Sequence, residues 1–159
     1  MAKYGHSPSE VIMSCFPNHE WHPWKFERTP KHWWKRIAQN FKLGDANAIR
    51  MVAVYIDELA CIHGVSKRSD WARISRSQLG YMNERRLLIL GGLQATLQAL
   101  QTHYTSMAHD EHARVFDGIR PDIFLDNRSS QYDRKAVVQN SLIDTVTNLL
   151  PTQNVQQHE

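Results

Sequence analysis

Between Phe16 and Trp34 the chain reads FPNHEWHPWKFERTPKHWW, which places four of its five tryptophans, three histidines and three prolines within nineteen residues. Prolines this dense keep the stretch out of one continuous helix. Each indole brings roughly 150–250 Å² that folding tends to bury. The rest of the chain reads mostly as helix, so this aromatic loop is expected to set how the helices meet.

Start and stop signals organise those helices. Ser7-Pro8-Ser9-Glu10 reads as N-cap, N1 proline and capping-box glutamate, followed by an apolar face of Val11, Ile12, Cys15 and Phe16 that Pro17 ends. Thr29-Pro30 repeats the signal and predicts a helix to about Phe41. Gly44-Asp45 breaks the chain and caps a helix over 46–63, with Ile49, Val52, Ile56, Leu59 and Ala60 on one face and Gly64 just past its end. Ser69 is the expected cap of a short turn holding Trp71, and Ser75 with Gln78 forms a second capping-box pattern. Gly91-Gly92 interrupts the apolar run before a helix marked by Leu93, Leu97, Leu100 and Tyr104. Val138, Leu142, Val146 and Leu149 give a last helix over 135–150, and PTQNVQQHE is a polar tail.

A membrane-spanning reading is excluded, because no apolar run approaches the eighteen or so residues that a span needs. The N-terminus has neither an apolar signal core nor an Arg-rich amphipathic helix. Cys15 and Cys61 lie among apolar residues and are expected to be buried thiols in a reducing compartment. The net charge of +3 is uneven: residues 1–104 hold 14 Lys/Arg against 8 Asp/Glu, and residues 105–159 hold 5 against 8. A basic body and a mildly acidic end suit different partners.

The chain also overlays on itself. His19-Glu20-Trp21-His22 with Phe26 matches His109-Asp110-Glu111-His112 with Phe116, and Tyr4-Gly5-His6-Ser7 matches Leu90-Gly91-Gly92-Leu93. Downstream, Asn40 and Asp57 have the spacing of Asn127 and Asp144. The pattern predicts a full helical repeat over 4–90, a truncated one over 91–150, and a tail over 151–159. Tyr4, Phe16-Pro17, His19, Trp21, Trp24, Phe26, Pro30, Trp33-Trp34, Asp70-Trp71, Ile74-Ser75 and Gly91-Gly92 together resemble a Trp-rich repeat of plant, algal, protist and giant-virus proteins. The resemblance covers roughly residues 4–125 and implies a repeated helical unit. It carries no settled activity.

Two chemistries follow from the residues. The two His-x-x-His pairs, His19/His22 and His109/His112, share a face if helical and are weak candidates for a metal, against the plainer reading of imidazoles hydrogen bonded to backbone in an aromatic corner. Lys25, Arg28, Lys31, Lys35 and Arg36 lie beside tryptophans, and Lys67, Arg68, Arg73, Arg76, Arg85 and Arg86 form a second basic group, a pattern that suits contact with nucleic acid or a partner subunit. Trp21, Trp24, Trp34 and Trp71 are expected in the core and Trp33 outside it. Asp57-Glu58 reads as the polar side of its helix. There is no nucleophile elbow, P-loop or dinucleotide fingerprint. The expectation is an all-α, non-catalytic subunit of a large intracellular assembly, without a cofactor. A mitochondrial ribosome ranks first, with protein subunits and rRNA as partners, and a respiratory-chain or ATP synthase complex next. The alternatives are a free-standing RNA/DNA-binding module and a His-ligated metal protein.

Overall fold

A computed structural model describes residues 7–30 and 32–126, nearly all of them in one compact unit that ends at Leu125. The expected helix over 135–150, the tail, Tyr4-Gly5-His6 and the Asn127/Asp144 pair lie outside the described residues. Those residues form seven α-helices and three 3-10 turns, with no strand among them.

The long helix α3 (Ala46–His63), in order after α1 (Pro8–Cys15) and α2 (Trp33–Lys42), is the centre of the packing. The Asp45 side chain caps it by accepting from the Ala48 amide at 2.8 Å, and Gly64 ends it in the left-handed region at φ 66°. Ile49, Val52, Ala53, Tyr55, Ile56, Leu59 and Ala60 are buried along its length. Against it pack α2, α6 (Leu93–Ser106) and α7 (His109–Val115). The short α4 (Arg76–Leu79) and α5 (Tyr81–Leu90) complete the unit, with α5 touching both α2 and α6. The expected boundary between repeats at Leu90–Gly91 thus falls between two helices that pack on one another.

The Ser75/Gln78 capping box forms in both directions. Other expectations need correcting. Ser7 is the N-cap of α1, but its hydroxyl bonds Ser9 Oγ instead of an amide, so no capping box forms with Glu10. The α1 apolar residues face solvent, with Val11, Ile12 and Phe16 exposed, and its anchor is Ser9, which donates to the Arg28 carbonyl. Helix α2 begins at Trp33, three residues later than Pro30 suggests, because His32 takes a left-handed conformation (φ 61°) as its N-cap. The turn holding Trp71 is capped by Lys67 and not Ser69. Cys15 and Cys61 are both exposed free thiols: one sits on the outward side of α1, the other beside Arg120 on the rim of α3.

Candidate functional site

The aromatic stretch is built around Trp24, which sits in a 3-10 turn, Pro23–Lys25. Its ring packs against Trp33, Trp34 and Tyr55 at centroid distances of 6.1, 6.1 and 5.4 Å. Because Trp24 lies over the start of α2, both indoles of that helix turn inward. Trp33 is only 3% exposed and Trp34 7%, which corrects the expectation that Trp33 lies outside. Trp24 and Trp71 are also buried, as expected. Trp21 is not: it is half-buried, stacked on Phe26 at 5.8 Å, with its N–H donating to the Phe16 carbonyl.

Glu58 on α3 gathers the polar ends of this cluster. Its carboxylate accepts from Trp24 Nε1 at 2.7 Å and from His22 Nδ1, and pairs with Lys25 Nζ at 2.8 Å. Burial pushes its pKa up, yet the hydrogen bonds from Lys25, Trp24 and His22 outweigh that and hold it below the ordinary glutamate value. Beside it, Arg86 donates to the Trp24 carbonyl and to Asn83, and lies 5.9 Å from the Trp34 ring. Asn83 accepts from the Tyr55 hydroxyl, whose pKa burial pushes up to about 12. The Trp34 N–H is buried without a hydrogen-bond partner.

A second anchor lies in the 3-10 turn Arg68–Arg73. Asp70 accepts from the Ser66 and Lys67 amides and the Ser66 hydroxyl, each at 3.0 Å. The Ser66 amide leads these in bringing its pKa down to about 2, against desolvation and with help from Lys67, the Ser66 hydroxyl and Arg73. Trp71 follows, donating to the Ile123 carbonyl at 2.9 Å in the core. Arg68 reaches the Phe124 carbonyl and the Gln98 and Gln101 side chains.

The expected basic groups therefore divide. Arg68 and Arg86 are internal clasps, and Lys25 is tied to Glu58. Exposed Arg73 pairs with the buried Asp70, and exposed Arg76 pairs with Glu84 at 3.5 Å. Arg28, Lys35, Arg36 and Lys67 are exposed, and Arg85 lies exposed over the Tyr81 ring. Lys31 lies outside the described residues. On α2 the outward side carries Lys35, Arg36, Gln39 and Lys42, with no acidic residue in the helix.

The histidine pairs sit in unlike settings. His19 and His22 lie in the loop before the Pro23 turn, where they line a pocket of about 470 Å³ with Glu20, Trp21, Lys25 and Phe26. His109 and His112 lie on α7, and His112 stacks on Tyr104 at 4.5 Å with its rings nearly parallel. In place of the expected hydrogen bonds to backbone, His22 bonds the Glu58 carboxylate, and His112 Nε2 is buried without a hydrogen-bond partner. Among the described residues no three His, Cys, Asp or Glu side chains gather as a metal site.

Reading the sequence misses Glu58, Arg50 and Asp57 as organising residues. Arg50 pairs with Glu20 and reaches the Val115 and Asp117 carbonyls, and Arg120 pairs with Asp57. Their partners lie thirty or more positions away, beyond the reach of any spacing rule. Comparison with protein-family models, with curated proteins and with solved structures finds no match for the chain.

Proposed function

We propose that the protein is a non-catalytic accessory subunit of a large intracellular assembly. The observation that carries this reading is where the apolar surface lies. Its buried indoles serve the core, whereas Val11, Ile12 and Phe16 around α1 and Tyr81, Met82, Leu88 and Ile89 on α5 face solvent. Exposed apolar groups of this size are what partner surfaces supply. The polar cluster around Glu58 is ordered for holding the fold: each donor in it is directed at the carboxylate, which is kept ionised as an acceptor. The mitochondrial ribosome remains the first candidate on the strength of the basic body, and a respiratory-chain or ATP synthase complex the second. The resemblance to a Trp-rich repeat supports a scaffold of helical units without adding an activity.

Sedimentation of the tagged chain from its native source tests the proposal. It should travel with particles far heavier than its own 18.5 kDa. Sedimentation as a free chain contradicts it.

The cationic outer side of α2 favours a second reading, contact with RNA. Lys35, Arg36 and Lys42 project there without a compensating acid in the helix. If they bind phosphates, affinity for a single-stranded RNA should fall steeply with salt, and Lys35→Glu with Arg36→Glu should flatten that slope by about two charges. An unchanged slope removes this reading.

A further inference from the structure

Helix α5 is apolar on two sides. Leu87 and Leu90 enter the core, while Tyr81, Met82, Leu88 and Ile89 are 69%, 57%, 62% and 37% exposed. Helical geometry places Tyr81, Arg85 and Leu88 in one row and Met82 with Ile89 in the next, so all five share the outward side. Leu88 also lines a pocket of about 350 Å³, whose other apolar walls include Ile74, Leu79 and Leu93 and whose charged lining is Arg76 and Glu84. Stripe and pocket are therefore continuous.

The charge around them is one-sided. Of the four arginines and two carboxylates between Asp70 and Leu90, Arg86 is turned inward as the clasp on Trp24, which leaves Arg73, Arg76 and Arg85 at the surface. Both carboxylates are engaged, Asp70 by the turn amides and Arg73, Glu84 by Arg76. Arg85 is exposed above the Tyr81 ring at 5.6 Å, and the Arg76 side chain is 85% exposed despite its pair.

We infer that this side of α5 docks an acidic amphipathic helix of another protein. Leucine or aromatic anchors of that helix lie along Tyr81, Met82, Leu88 and Ile89, one of them entering the pocket, and its carboxylates meet Arg85 and Arg76. Helix-in-groove recognition has this form: apolar anchors supply the binding energy and the flanking charges select the partner. A second copy of the chain fits poorly, because two-fold pairing centred on this helix sets Arg85 against Arg85. A nucleic-acid strand would use the arginines but leave the apolar row in water. The inference rests on the accessory-subunit reading and names the partner of one of its surfaces.

Two synthetic helical peptides of about 18 residues test it, long enough to hold a helix. They share one leucine stripe, flanked by Glu in one and by Lys in the other. Titrated into the isotope-labelled full chain, the Glu peptide should shift α5 resonances and bind at least about tenfold more tightly than the Lys peptide. Leu88→Glu, at a solvent-facing position, should weaken it by about tenfold or more, and Arg85→Glu should reverse the preference between the peptides. The inference is overturned by equal affinities, by shifts away from α5, by no binding, or by a wild-type dimer that Leu88→Glu dissolves. Should the peptides fail to bind while the wild-type chain still sediments with its heavy native particle, this docking surface is wrong while the accessory-subunit reading stands. Absence of the wild-type chain from any such particle removes the broader reading instead.

Discussion

Glu58 receives a hydrogen bond from Trp24, another from His22 and an ion pair from Lys25, and so ties the aromatic loop to the central helix. Removing its charge in Glu58→Gln weakens the acceptor for all three donors and should cost about 1–2 kcal/mol at pH 7. Asp70 does the same for the turn before Trp71. Both carboxyls titrate below their ordinary values of 4.5 and 3.8, Asp70 at about 2. A depressed folded-state pKa adds stability above the unfolded-state value and loses it as pH falls through the folded one. Urea midpoints should therefore decline from about pH 4.5 towards pH 2, and Glu58→Gln and Asp70→Asn should each flatten that decline. Midpoints of the two variants that track the wild type across this range would contradict the assignment. Neither residue is prominent in the sequence. Asp57-Glu58 reads there as a helix's polar side, since its partners arrive from loops far along the chain.

Helix boundaries were legible wherever a local residue enforces them. Asp45, Gly64, Ser75 with Gln78 and Gly91-Gly92 act through their own backbone or nearest amides, and each stands where sequence places it. Gly92 adopts φ 96°, ψ 159°, a region open essentially to glycine alone, whereas Gly64 sits in the milder left-handed region. Gly92→Ala should therefore cost about 2 kcal/mol and Gly64→Ala about 1 kcal/mol. Equal midpoints for the two variants by chemical denaturation would show that the α5–α6 turn does not need this conformation. What sequence could not reveal was the direction in which a face points. Helix α1 has the apolar pattern of a buried helix, yet its buried residue is Ser9, and Val11 and Ile12 are turned outward. Periodicity shows that a helix has a side without showing what lies against it.

At the scale of the molecule, an all-α fold with a Trp-rich core was legible because indoles in a small helical unit have few places to go other than inside. The exceptions come from one arrangement: Trp24 rests over the first turn of α2, which brings Trp33 in and leaves Trp21 at the rim with Phe16 and Phe26. The basic residues divide by a similar logic, since Arg68 and Arg86 reach carbonyls and clasp the fold, whereas Arg28, Arg36 and Arg85 stay exposed. The indoles hold the helices together, and the proposed function leaves binding to the exposed outer sides of α1, α2 and α5. Denaturant melts of Trp24→Ala and Trp34→Ala test that division most directly. Each variant should lose about 3–5 kcal/mol, as for other buried aromatic truncations. Wild-type midpoints combined with a selective loss of partner binding would contradict it.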